Sequence, residues 1–192
     1  MLRQIINAFA MLLVFTVLTG LVYPLAMTGL AQSLFPFQAN GSILVQDGKP
    51  IGSALIGQSF TSANYFHGRP SVAGADGYDG GSSGGSNLGP TSKKLVDTVT
   101  DNVAKVREEN QLDAAKLVPS DLVLASGSGL DPDISPAAAY VQIERIAKER
   151  GLSAGEVRNL VDQHVANRQL GIFGELRVNV LELNLALDAL KN

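Results

Sequence analysis

The sequence predicts an α+β extracytoplasmic domain that follows one N-terminal transmembrane helix. Two observations support this fold class. Residues 5–30 form an uninterrupted apolar run, and the remainder of the chain mixes short strand patterns with helices that have recognisable ends. Strand patterns do not alternate with helices as βαβ units would, so we expect no parallel sheet. The predicted organisation is a membrane anchor over residues 1–34 and a soluble domain over residues 35–192.

The apolar run is long enough to cross a membrane. As a helix it would span roughly 39 Å at ~1.5 Å per residue, whereas the hydrocarbon core is about 30 Å thick. Arg3 lies upstream of the run and the next cation, Lys49, lies well beyond it. The positive-inside rule therefore predicts an N-in topology with the domain outside. A signal peptide is the alternative, but its apolar region is usually ~7–15 residues and ends at a small-x-small site, which does not follow here.

Small and aromatic residues in the anchor are candidates for packing against a partner. Thr16 and Gly20 would let a second helix approach closely. Tyr23 suits the membrane interface, and Pro24 can kink the helix where another protein covers the freed carbonyl. Such residues are also common in any membrane span, so this pattern alone leaves both interpretations open.

After the anchor, the sequence has short apolar runs separated by turn residues, which is typical of strands and turns. Phe35, Gln38 and Asn40 lie in a segment that is either a rigid exit from the membrane or a docking edge for a partner. Beyond it, the apolar runs 43–45 and 51–56 enclose an Asp-Gly pair. This pair tolerates positive φ and predicts a β-hairpin.

Residues 68–90 predict a long loop. The segment is dominated by glycine, serine and proline, which do not sustain regular structure cheaply. Within it, Gly81-Ser-Ser83-Gly-Gly85 matches the letters of a serine-hydrolase nucleophile elbow. That chemistry needs a strand leading in and a helix leading out, and neither flanks Ser83. A membrane-tethered hydrolase using Ser83 and His164 is therefore an alternative function that rests on a chance match.

End signals predict the elements that follow. The predicted elements are a helix from Thr91 or Ser92 to Asn110, a strand or extended segment over Leu117–Ala125, a helix from Ser135 and Pro136 to Gly151, a helix beginning with a capping box at Ser153 and Glu156, a strand over Arg177–Val180, and a terminal helix over Leu181–Leu190.

Composition excludes several classes of function. Without Arg3 the chain has 14 cationic and 18 acidic residues, a net charge of −4, and no basic stripe for nucleic acid. It has no cysteine and only two histidines, so thiolate chemistry is excluded and a zinc site is poorly supplied. We predict no catalytic residue and no metal site.

Two polar segments remain as candidate sites. His67 and Arg69 could face a carboxylate on a partner, or they could pin the glycine-rich loop by hydrogen-bonding its carbonyls. The segment from Asp121 to Pro136 holds serines and acids that could form an ion site. The same side chains could instead cap the helix that follows, which is the interpretation we favour.

These segments together are similar to the C subunit of the Kdp potassium-transporting ATPase. The matching stretches are Tyr23-Pro24, Phe35-Pro36, Gln38-Ala-Asn-Gly-Ser42, Gly52-Ser-Ala-Leu-Ile-Gly-Gln58-Ser-Phe60, Tyr65-Phe-His-Gly-Arg-Pro-Ser71, Ser83-Gly-Gly-Ser-Asn-Leu88, Ala125-Ser126, Ser128-Gly-Leu-Asp131, Ile134-Ser-Pro136, Ala138-Ala139, Gln142-Ile143, Val178-Asn-Val180, Leu183-Asn184 and Ala186-Leu187. Single stretches are weak, but their order along nearly the whole chain is specific.

The resemblance implies a noncatalytic accessory subunit in the bacterial inner membrane. Its partners would be a channel-like potassium-binding subunit and a P-type ATPase subunit, and its role would be that of a catalytic chaperone that raises ATP affinity. It implies no intrinsic cofactor, although ATP could be shared with the pump subunit. If nucleotide contacts this chain, we expect Ser126, Ser128, Gly129 and Gln142 to bind it. An extracytoplasmic cation-binding or ligand-binding domain is the remaining alternative.

Overall fold

The computed structural model describes residues 1–190, and it confirms an α+β fold with one N-terminal apolar helix. Its helices are α1 (Leu2–Leu34), α2 (Pro36–Ala39), α3 (Lys93–Glu109), α4 (Pro136–Arg150), α5 (Ala154–Gln163) and α6 (Val180–Ala189). Its strands are β1 (Ile43–Gln46), β2 (Lys49–Ser53), β3 (Asp133–Ile134), β4 (Val165–Ala166) and β5 (Arg177–Asn179). Contacts divide the chain into one compact unit over Met1–Ile51 and a second that starts at Gly52.

Helix α1 is, in the described part of the chain, the one helix long and apolar enough to cross a membrane. Its middle turn, Leu18–Val22, is π-helical and precedes Pro24. Proline lacks the N–H that an α-helix needs and clashes with the carbonyl four residues earlier, so a wider turn at this point accommodates it. The Thr19 hydroxyl donates to the Phe15 carbonyl at 2.6 Å, which satisfies a polar group within the span.

The predicted β-hairpin is formed by β1 and β2. Asp47 and Gly48 have φ of 51° and 75°, so both central residues of the turn are left-handed, as a type I′ turn requires. The second strand ends at Ser53 rather than at Ile56, because Ala54 and Leu55 already turn. Helix α2, a single turn directly after Phe35, was not predicted from the sequence.

The helix ends of the second unit agree with the end signals. Ser92 and Ser135 cap α3 and α4, and the Ser153 and Glu156 side chains form a complete capping box on α5. Gly151 ends α4 with a left-handed φ of 67°. Strand β5 ends one residue earlier than predicted, and α6 begins one residue earlier.

Of the two alternatives for residues 117–125, a strand or an extended segment, the strand is not formed. Residues 120–122 form a 3₁₀ turn, and residues 117–119 have no regular secondary structure. Leu122 and Val123 are both buried at this turn, whereas adjacent residues of a strand would point to opposite faces. The Asp121 carboxylate accepts a hydrogen bond from the Ser135 N–H at 2.6 Å, which ties this turn to the start of α4.

A small antiparallel sheet with the order β3-β5-β4 packs with α4, α5 and α6 around one apolar core. In its register Ile134 and Val165 both lie opposite Val178, which is completely buried. Phe66 is also completely buried, although it belongs to the irregular segment before α3. The core therefore reaches into the segment that leads to the long loop and fixes it.

Candidate functional site

The backbone of residues 63–67, which we call the clamped segment, is held by side chains. Gln142 on α4 accepts from the His67 N–H at 2.8 Å and donates to the His67 carbonyl at 3.1 Å. Asn184 on α6 makes the same pair with Phe66, at 2.8 and 3.0 Å. Both amides are buried. They supply the hydrogen bonds that a neighbouring β-strand would otherwise provide.

Two buried arginines of α4 complete this arrangement. Arg145 donates to the carbonyls of Ala63 and Tyr65. Arg150 pairs with Asp188 at 2.7 Å and lies over the Tyr65 ring at 4.8 Å from its centroid. Charged side chains are rarely buried unless paired or saturated with hydrogen bonds, and both conditions are met here. The clamped segment is thus rigid and leads directly into the polar residues that follow it.

A cavity of about 240 Å³ lies beside the clamped segment, and its lining includes His67, Lys105 and Glu109. The His67 Nδ1 is 3.5 Å from a Glu109 carboxylate oxygen, and its Nε2 is 3.1 Å from the Ser62 carbonyl. Burial and the nearby Arg145 cation lower the His67 pKa below its ordinary value, against the opposing pull of the Ser62 carbonyl and Glu109. The ring is therefore neutral at physiological pH and donates to only one of its two acceptors.

Arg69 lines the same cavity and is fixed from several sides. Its guanidinium donates to Asp131 at 2.9 Å and to the Ala125 carbonyl at 3.4 Å. Its own carbonyl accepts from the Tyr78 hydroxyl at 2.5 Å. Burial and the Asp131 charge raise the pKa of Tyr78 to about 12, so this hydroxyl stays protonated as a donor. These contacts of His67 and Arg69 lie within the domain, and contact of either side chain with a partner stays a prediction.

The glycine-rich loop is attached to residues 126–131, which we call the serine-glycine segment. The Ser71 hydroxyl donates to the Gly129 carbonyl at 2.6 Å, and Ser83 donates to the Ser128 carbonyl at 3.0 Å. The Gly84 N–H donates to that same Ser128 carbonyl at 2.8 Å. Ser83, the candidate hydrolase nucleophile, thus makes a loop contact without a strand or helix beside it.

The structure brings three of the four candidate nucleotide residues together. The Ser126 hydroxyl accepts from the Gly129 N–H at 2.9 Å and lies 3.4 Å from the Ser128 hydroxyl. The fourth, Gln142, belongs to the clamp on His67. Its amide nitrogen donates to His67 and Ala138, and its oxygen accepts from His67 and Arg145, which uses its full hydrogen-bonding capacity. Nucleotide contact stays a prediction.

The acidic residues of the Asp121–Pro136 segment have cationic or backbone partners. Asp131 pairs with Arg69, and Asp133 pairs with Arg177 at 3.2 Å. Burial raises the Asp133 pKa, and the Arg177 charge opposes that shift. Over residues 1–190 no group of three or more histidine, cysteine or acidic side chains is arranged to hold a metal ion.

The partner-packing candidates of the anchor unit are exposed along α1, α2 and the turn between them. Thr16, Gly20, Tyr23, Pro24, Phe35, Gln38 and Asn40 are all exposed. A Cβ built on Gly20 meets no heavy atom within 4 Å. At the membrane exit, the Asn40 and Gln32 side-chain amides pair at 3.2 and 3.3 Å, and Asn40 also donates to the Pro36 carbonyl at 2.6 Å. Hydrogen bonds within the chain therefore stabilise the segment where α1 ends and α2 begins.

Comparison with known proteins identifies the family. Residues 5–189 match KdpC, the K+-transporting ATPase, c chain. The chain belongs to this family. The potassium-transporting ATPase KdpC subunit of Mycobacterium tuberculosis (strain H37Rv) is 56% identical over 188 residues, which cover 98% of this chain and 99% of the relative. That of Gemmatimonas aurantiaca is 54% identical over 190 residues, 99% and 94% of the two chains. That of Rhodopseudomonas palustris (strain BisB18) is 55% identical over 202 residues and covers both chains completely.

Family membership makes the chain a noncatalytic accessory subunit of a potassium-transporting ATPase complex. The alternative of a membrane-tethered hydrolase is thereby overturned. Sequence reasoning missed Arg145, Arg150 and Asn184, the side chains that hold the clamped segment with Gln142. A signal for the first two was available, because both arginines share the buried face of α4 with Ile143, Ile146 and Ala147.

Proposed function

We propose that the chain stabilises the potassium-uptake complex by packing α1 against the channel-like subunit. One observation supports this proposal. The apolar side chains of Leu2–Leu34 are exposed, and the open surroundings of Gly20 leave room for a second helix to approach. Thr16 lies one turn before Gly20, so the two small residues share one face of α1.

Replacing Thr16 and Gly20 with leucine is expected to loosen this assembly. A side chain on Gly20 contacts nothing in its own chain, so the domain should keep its stability while the close approach of a partner is lost. The measurement is the amount of this subunit that co-purifies with the complex, which we expect to fall about tenfold for a loss of ~1.4 kcal/mol. Gly29→Leu is the matched control, since Gly29 is equally open. Unchanged co-purification of the double variant, or an equal loss from Gly29→Leu, would contradict the assignment.

We infer that the chain raises the ATP affinity of the pump subunit indirectly. Arg3 upstream of α1 favours an N-in orientation in the inner membrane, with the domain outside, whereas ATP is consumed inside. Coupling requires only that the subunit prefers the pump conformation that binds ATP more tightly. The contacts of Ser126, Ser128 and Gln142 within their own domain agree with this indirect role.

A reporter fused after Asn192 tests the orientation on which this inference depends. An enzyme that is active only outside the inner membrane should report activity, and one that is active only in the cytoplasm should not. The opposite result would place the domain beside the ATP site and favour direct nucleotide contact by the serine-glycine segment. A fusion at the N-terminus serves as the control and should give the reverse pattern.

A further inference from the structure

The turn between β4 and β5 exposes four apolar side chains within a short segment. We call residues 168–176 the hairpin tip. Leu170, Ile172, Phe173 and Leu176 in this tip are 87%, 73%, 62% and 45% exposed. Single exposed apolar residues are ordinary, but four of them on one nine-residue turn indicate a surface that contacts something else.

The hairpin tip is an ordered projection. Gln169 and Phe173 exchange both backbone hydrogen bonds at 2.9 Å, and Arg168 pairs with Glu175 at 2.6 Å. Below the tip, β4 and β5 pair through Val165 and Val178, and Val178 is completely buried in the core. The apolar side chains are therefore presented on a preformed scaffold, so that binding need not order a flexible loop.

The backbone conformation of the turn in the hairpin tip indicates that Leu170 has a role outside its own domain. Leu170 and Gly171 have φ of 54° and 75°, and the Ile172 N–H donates to the Gln169 carbonyl at 3.1 Å. A turn with positive φ at both central residues favours Asn-Gly, and a bulky leucine there is strained. Leu170 is largely exposed, so its side chain gains little within its own domain to offset this strain. Burial in a partner would explain why an apolar side chain stands at this position.

Charge and area indicate the kind of partner. The only charges of the tip, Arg168 and Glu175, neutralise each other, so the tip has no cationic excess to attract anionic lipid. Four such side chains offer a few hundred Å², less than the about 800 Å² per partner of a stable interface between free proteins. A patch of this size suits a partner that a shared membrane assembly already keeps close.

We propose that the hairpin tip inserts into an apolar recess on another subunit of the same potassium-transporting ATPase complex. Leu170 and Phe173 are the central contacts, and the Arg168–Glu175 pair lies at the polar rim. This inference rests on the proposed assembly role, but it uses a surface separate from the anchor face of Thr16 and Gly20.

A photo-crosslinking experiment identifies what the tip contacts. Phe173 is replaced by p-benzoylphenylalanine in the full chain, and the complex is irradiated in native membranes. We expect a covalent adduct with another subunit of the complex. The same probe at Leu117, which is 88% exposed but lies outside the tip, should give none. Adducts only with lipid or with a second copy of this chain, or no adduct at all, would overturn the proposal.

The variant Leu170→Asn separates docking from folding. Asparagine is favoured in this turn, so the unfolding temperature of the full chain should stay the same or rise. Retention of the subunit in the washed complex should fall about tenfold, because the burial of one leucine is lost. Leu117→Asn should leave retention unchanged. The inference alone would be overturned if the Leu170→Asn subunit were retained normally while the Thr16 and Gly20 double variant was lost from the complex. The proposed function would then still stand.

Discussion

Replacing Arg145 with alanine is expected to lower the free energy of unfolding by about 3–5 kcal/mol. The residue is 8% exposed, and its guanidinium donates to four acceptors, which are the carbonyls of Ala63 and Tyr65 and the side-chain oxygens of Asn110 and Gln142. Each buried acceptor left without a donor costs about 1–3 kcal/mol. The clamped segment and α3 would each lose a hydrogen-bonded contact with α4, since Asn110 directly follows α3, while Gln142 and Arg150 would still hold part of the clamped segment.

The measurement is denaturant unfolding of the full chain in detergent, with circular dichroism as the signal. Arg158→Ala is the matched control, because Arg158 is exposed and its guanidinium lies over the Tyr140 ring at 4.7 Å from the centroid. This control should lose no more than about 1 kcal/mol. A loss below that value in Arg145→Ala would show that the clamped segment is held by other contacts.

Arg145→Lys distinguishes geometry from charge. Lysine keeps a cation but presents a single nitrogen, so it cannot reach acceptors on opposite sides as the planar guanidinium does. Burial lowers the Arg145 pKa, and the Glu109 and Glu149 charges oppose that shift. The same burial would penalise a charged lysine, so we expect this variant to lose most of the stability that the alanine variant loses. Near-complete rescue would instead indicate that charge alone matters.

The helix ends could be predicted because their signals are local. Ser135 with Pro136, Gly151, and Ser153 with Glu156 each satisfy backbone groups within a few residues, so the sequence contains the whole interaction. The hairpin turn after β1 is predictable for the same reason. The apolar anchor needs no partner for its prediction, since length and composition define it.

The clamp and the two outer strands of the small sheet could not be predicted from the sequence, because their partners are distant along it. Asn184 and Phe66 pair across 118 residues, and Gln142 and His67 across 75. Strands β3 and β4 have only two residues each and exist because β5 lies between them. A two-residue strand has no periodicity to detect. The same distance explains why the sequence alone does not reveal that the Gln142 amide holds the clamped segment.

Replacing Gly129 with alanine is the second change expected to have a large effect. Gly129 has a φ of +66°, and a Cβ there would lie 2.7 Å from the Gly84 carbonyl oxygen and 2.9 Å from the Ala73 backbone nitrogen. Both neighbours are backbone atoms, so the loop itself would have to move. Its attachment through Ser71, which donates to the Gly129 carbonyl, would move with it. We expect a loss of about 2–4 kcal/mol in the free energy of unfolding.

Gly127, two residues before Gly129, provides the control for this prediction. A Cβ on Gly127 meets no heavy atom within 4 Å, so Gly127→Ala should change stability by no more than about 0.5 kcal/mol. Limited proteolysis of the full chain should show faster cleavage within residues 71–84 for Gly129→Ala and an unchanged pattern for Gly127→Ala. Equal stability of the two variants would contradict the close contact between the serine-glycine segment and the glycine-rich loop.

The same pair of variants distinguishes direct from indirect action on nucleotide. If the serine-glycine segment bound ATP through its backbone, alanine at Gly127 would obstruct the approach of a phosphate without disturbing the loop. The ATP concentration for half-maximal activity of the complex should then rise in Gly127→Ala. Under indirect coupling it should stay the same in Gly127→Ala and change in Gly129→Ala, because only the latter alters the domain that we propose to contact another subunit. An unfolding measurement and an ATP titration on the same two proteins therefore separate a structural glycine from a nucleotide-binding one.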